Sequence, residues 1–122
     1  MMKKILVVED DAISQEMVAE ILTQGGYKVL KASNAMDAIR VVDKDPPHLI
    51  LMDIKLPGAN GLEIMHRLKE DHHTEHIKVV ALTALTTPKD RKIILSAGCD
   101  GHIPKPVIDP QEFINTVSAF LK

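Results

Sequence analysis

The chain has 122 residues, 45% hydrophobic and 26% charged, with a formal net charge of −2, a balance that fits a globular core and excludes a disordered chain. A single cysteine, Cys99, excludes an internal disulfide. Scattered basic residues, no Trp and 2% aromatic content give no charged patch or stacking platform for nucleic acid.

Five apolar runs alternate with amphipathic stretches. "KILVV" comes first and ends abruptly in Glu9, Asp10 and Asp11, as a strand buried on both faces and closed by three carboxylates. A helix is predicted over Ala12–Gln24, with Asp11 as N-cap, Gly25-Gly26 as stop and an apolar stripe of Ile13, Met17, Val18, Ile21 and Leu22. The second run is "YKVLKA", followed by a helix over Ala35–Asp43, capped by Asn34 and ended by Pro46-Pro47. The third, "HLILM", leads into Asp53 and the turn "KLPGANG", where Pro57 and Gly58 shape the loop. A helix then starts at "NGLE", with Asn60 and Glu63 spaced as a capping box and Leu62, Met65 and Leu68 on one face. "KVVALT" is the fourth run. Its helix opens with Thr87 as cap and Pro88 in the first turn, and stops at Gly98. The short "GHI" is the fifth, and a last helix runs from about Pro110 to Leu121 on a stripe of Phe113, Ile114, Val117, Phe120 and Leu121. Met17, Met36, Met52 and Met65 read as core, and Cys99 as a small apolar group beside the last strand. The apolar runs fall far short of the ~20 residues of a membrane span. "MMKK" leads into a strand-like run with no cleavage pattern of a signal peptide. The expectation is one domain over residues 1–122, with the lone cysteine fitting a reduced, cytoplasmic setting.

Strands alternating with helices over short connections mean βαβ units and an α/β, doubly wound, five-stranded parallel sheet. Ligands of such sheets bind beyond the carboxyl ends of the strands. At that edge the sequence sets Glu9-Asp10 after the first strand, Asp53 after the third, Thr83 at the end of the fourth and Lys105-Pro106 after the fifth. Three carboxylates suit a hard cation, and Mg²⁺ is the expected ion. With a cation beside it, an aspartate can attack phosphorus and form an acyl phosphate. Asp53, the lone carboxylate on a central strand, is the candidate nucleophile, leaving Glu9 and Asp10 for the ion. Lys105 can pair with a phosphoryl oxygen, and the Thr83 hydroxyl can donate to another.

The motifs "VVEDD", "LILMDIKLPGANG", "ALTA" and "KP", in this order and spacing, resemble the receiver domain of two-component response regulators over essentially the whole chain. The version here is similar to stand-alone receivers of the DivK type and to receivers attached to hybrid sensor kinases. The resemblance implies the flavodoxin-like strand order 2-1-3-4-5, and a phosphorylation switch that is not a turnover enzyme. It implies that Asp53 accepts a phosphoryl group from a sensor histidine kinase or a histidine phosphotransfer protein. Asp10 and Asp53 would ligate Mg²⁺ by side chain, Lys55 by its backbone carbonyl and Glu9 through a water. Thr83 and Lys105 would hold phosphoryl oxygens, and the Lys105–Pro106 peptide would be cis. Phosphorylation would alter the surface of the fourth helix, fifth strand and fifth helix and so control a downstream protein. No direct binding of nucleic acid by this chain is expected.

Three positions depart from the family pattern. His102 stands where receivers usually carry Tyr or Phe, and is expected to be an altered switch residue. Lys55 and Leu85 are non-acidic beside the family's path of the hydrolytic water, which predicts slow self-dephosphorylation. The cluster His72, His73 and His76 offers ligand spacing along a helix, but its place between a helix and a strand reads as a solvated loop. His48 and His66 read as surface residues. Rival functions fit less well. A phosphatase of the haloacid dehalogenase type needs a second Asp where Lys55 stands. A flavodoxin needs a phosphate loop where "EDDAIS" would repel phosphate. An adaptor that never takes phosphate is favoured only by the change at His102.

Overall fold

In the computed structural model, which describes residues 2–53, 61–84, 87–96, 98–105, 107 and 109–122, strands and helices alternate along the chain. They are β1 (Lys4–Val8), α1 (Ala12–Gln24), β2 (Lys28–Ala32), α2 (Ala35–Lys44), β3 (Leu49–Met52), α3 (Gly61–Glu70), β4 (Lys78–Thr83), α4 (Pro88–Ser96), β5 (Gly101–Pro104) and α5 (Pro110–Phe120). The strands form one parallel sheet, as the residue pattern predicts, in the order β2-β1-β3-β4-β5 that the receiver resemblance implies.

The strands' period of two builds a core on each face of the sheet. Leu6, Val8, Ile50, Met52, Val79 and Ala81 pack against α2, α3 and Ile94 of α4. Ile5, Val7, Leu49, Leu51, Val80, Leu82 and Ile103 pack against α1 and α5 through Val18, Leu22, Phe113 and Val117. Apolar residues therefore fill both faces of β1, β3 and β4, which explains their unbroken aliphatic runs.

The helix starts follow their capping chemistry. Asp11 Oδ1 accepts from the Ile13 amide at 3.0 Å, Asn34 Oδ1 from the Asp37 amide at 2.9 Å, and Asp109 Oδ1 from the Gln111 and Glu112 amides. At the far end of α4, Gly98 takes φ +97°, the left-handed conformation that suits glycine. Asn60 lies outside the described residues.

Two expectations about apolar side chains are corrected. Helical spacing sets Ile13 and Met17 on the core stripe of α1, and Met36 reads as core, yet they are 82%, 44% and 66% exposed. The inward face of α1 is Val18, Ala19 and Leu22. Ile13 and Met17 lie on the side of α1 turned away from that face, and Met36 falls outside the inward line of Ala35, Ala38 and Val42 on α2. Met52 and Met65 are fully buried as expected, and Cys99 joins the core on the α2–α4 face.

Candidate functional site

The backbone ladder runs one residue past three strands and delivers the polar side chains. The Glu9 amide donates to Ala32, the Asp53 amide to Val8 and the Lys105 amide to Thr83, each at 3.0 Å. Val7, Leu51 and Ile103 all face the α1–α5 core, so Glu9, Asp53 and Lys105, two residues on, share one parity. Thr83 follows Ala81 by two and falls on the other parity, at the tip of β4.

One oxygen each from Glu9, Asp10 and Asp53 lies within 4.8 Å of the others. This trio of hard oxygen donors suits a divalent cation such as Mg²⁺, which is held by a few carboxylates and keeps several waters. Glu9 is buried at 5% exposure, Asp53 is nearly so and Asp10 is open to solvent. The Lys105 ammonium sits among them, hydrogen-bonded to Glu9 Oε2 and 3.2 Å from Asp53 Oδ2. The second Glu9 oxygen accepts from the Asp11 amide at 3.2 Å. Burial pushes the Glu9 carboxyl above its ordinary value, against the hydrogen bonds from Lys105 and the Asp11 amide, and the charge of Asp53 adds to the rise. Burial opposes the Lys105 ammonium, but the hydrogen bond to Glu9 and the charge of Asp53 outweigh it, so Lys105 is held above the ordinary lysine value. An internal cation thus offsets part of the clustered negative charge.

Of the residues singled out in the sequence, Glu9, Asp10, Asp53 and Lys105 converge. Thr83 is 2% exposed and tied to Lys105 through the backbone. Lys55, Leu85 and the Lys105–Pro106 peptide bond lie outside the described residues. His102 stands apart from the cluster, on β5, paired in register with Ala81. Asp11 is an N-cap, as read. His72, His73 and His76 fall in a turn and, among the described residues, form no convergent metal-ligating group. His48 and His66 are exposed.

One contributor escaped the sequence reading. Gln15 Nε2 donates to the carbonyls of Ala32 at 2.8 Å and Val7 at 3.2 Å, where the β1–β2 ladder ends beneath Glu9. Its signal was faint: a polar residue one turn past the cap of α1, on the side that faces the sheet.

The response regulator receiver domain family matches residues 5–118. The polar-differentiation response regulator DivK of Brucella anthropi is 35% identical over 121 residues, covering 99% of this chain and 98% of the relative. The chemotaxis response regulator CheY4 of Vibrio cholerae superposes with a TM-score of 0.92 at 25% identity, covering 99% of this chain and 100% of that one. The receiver domain of a Pseudomonas aeruginosa sensor histidine kinase, solved with a magnesium ion in its active site cleft, superposes at 0.89 with 26% identity, covering 99% and 98%.

Proposed function

Because this chain belongs to the response regulator receiver domain family of two-component signalling, we propose that Asp53 is its phosphoryl acceptor and that the acceptor's state is read on the surface of α4, β5 and α5. The observation that carries this reading is the convergence of Glu9, Asp10 and Asp53 within 4.8 Å, with the Lys105 ammonium 3.2 Å from Asp53.

An oxygen of the Asp53 carboxylate attacks the phosphorus of a phosphohistidine on a sensor kinase or phosphotransfer protein. The new P–O bond makes an acyl phosphate as the P–N bond breaks, and its electron pair leaves on the donor imidazole. Asp10 and Asp53, with Glu9 through a water and the Lys55 carbonyl, would hold Mg²⁺, which when bound offsets phosphoryl charge. Lys105, already between Glu9 and Asp53, moves with the incoming phosphoryl oxygens and keeps one of them paired. The Thr83 hydroxyl donates to another. Lys105 hangs from the Thr83 carbonyl, and His102 lies beside Ala81 on the same pair of strands. A shift of the β4 tip toward the phosphoryl group is therefore passed to the His102 ring and the outer face of β5. The product is a changed surface that governs a downstream protein, rather than a released chemical.

Incubation with acetyl phosphate and Mg²⁺ is expected to add one phosphoryl group by intact mass. The gain should vanish in Asp53→Asn and in EDTA. Labelling of Asp53→Asn to the wild-type level would overturn the assignment.

A further inference from the structure

We propose that a cavity between β5 and α5 seats one basic side chain, lysine or arginine, of the protein that reads the switch. This rests on the reading above for the partner's role; the seat itself is argued from its own lining. The cavity has a volume of about 250 Å³, below the roughly 300–1,000 Å³ of pockets for drug-sized ligands, which suits one long side chain.

Its walls have two characters. Ile103 and Phe113 are buried and Val107 is half-buried, so they offer an apolar floor for a methylene stem. Asp109 and Glu112, both exposed, supply two carboxylates, and among the described residues no lysine or arginine lines the cavity. Both cap bonds of Asp109 fall on Oδ1, which leaves Oδ2 available. Among the described residues, the Glu112 carboxylate has no ion-pair partner. Lys105, the nearest cation in sequence, is committed to Glu9 and Asp53 and leaves this pair uncompensated.

These features select the occupant. An acidic side chain meets two like charges. A purely apolar one fills the floor but takes water from the carboxylates without replacing it. A lysine or arginine lays its stem on the floor and brings its head to the carboxylates. His102 forms a further wall, and its Nε2 is buried with no hydrogen-bond partner among the described residues. The strand pairing of His102 with Ala81 ties that wall to the end of the sheet that carries the carboxylates.

The test is NMR titration of the ¹⁵N-labelled full chain with butylguanidinium, n-butanol and butyrate. Butylguanidinium is expected to give saturable shifts at Ile103, Val107 and Phe113, with the other two probes at least fivefold weaker. The double variant Asp109→Asn/Glu112→Gln should bind butylguanidinium at least threefold more weakly while its fold persists, since Asn is as good a cap as Asp. Absent saturable shifts, equal binding of butanol, or unchanged affinity in the double variant overturns the seat. Cation-selective shifts in a chain that fails to take phosphate at Asp53 would keep the seat and overturn the switch; phosphorylation without cation selectivity would do the reverse.

Discussion

Lys105 is the residue on which the charge balance of the rim turns. It is the cation hydrogen-bonded to Glu9 and Asp53, and its removal leaves the three carboxylates to one another. Replacing it with Met should tighten Mg²⁺ binding, since removing one positive charge near the ion is worth roughly 1–2 kcal/mol at near-surface dielectric, about five- to thirtyfold in Kd. Calorimetric titration of wild type and Lys105→Met checks the sign, and weaker binding by the variant would contradict it. The pH dependence follows from the same pair. Glu9 sits above its ordinary value of 4.5, so the folded state prefers its protonated form. That contribution to stability is full below the unfolded value and is lost as pH rises through the raised one. Lys105, held above 10.5, favours the fold until pH passes its own raised value. Without the ammonium, ionising Glu9 becomes harder still. In EDTA, the fall in Tm caused by Lys105→Met should therefore be larger at pH 8 than at pH 5, and thermal melts at the two pH values decide it.

At the scale of the element, β5 is the strand whose sequence says least. Four residues, Gly101–Pro104, form this edge, and its apolar content is slight. What seats it is Phe120 at the end of α5: a Cβ on Gly101 would lie 2.2 Å from the Phe120 Cζ. Glycine is required here for close approach of a ring. Gly101→Ala should destabilise the fold by roughly 1–3 kcal/mol through overpacking. Because Phe120 is the group displaced, the loss should be smaller when Phe120 is already Leu. Urea denaturation of the two single variants and the double variant measures that coupling, and strict additivity would show that the ring is not the obstacle. The same scale explains the error on α1. Ile13 and Met17 keep helical spacing with Ile21, but their side of the helix is turned away from Val18, Ala19 and Leu22, which face the sheet, and spacing alone does not tell which side of a helix meets the sheet.

Over the whole molecule, one sheet serves two cores. Ile50 points into the core shared with α2, α3 and α4, and its neighbour Leu51 into that shared with α1 and α5. Both are fully buried, so Ile50→Ala and Leu51→Ala should each cost roughly 2–5 kcal/mol. Both variants should still unfold in one transition, because neither core survives without β3, which carries both residues. Calorimetry tests this: two separated transitions in either variant would mean that the faces unfold independently.

The element order, the parallel sheet and the candidate site residues are legible in the residue pattern alone. Aliphatic runs long enough to be buried on both faces force a sheet covered on both sides. The break from each run into a charged or hydroxyl residue marks the edge where Glu9, Asp53, Thr83 and Lys105 would meet. Which polar groups touch is set by the packing of the strands against one another. Lys105 and Glu9 are 96 residues apart, and their hydrogen bond depends on the strand order that sets β1 beside β3 and on the ladder that carries one residue past each strand. The tertiary structure also placed Gln15 under the β1–β2 ends, exposed Met17 and Met36, and opened the cavity beside His102. Each of these depends on which side of a helix meets the sheet and on what lies across from it, and a local pattern of residues holds neither.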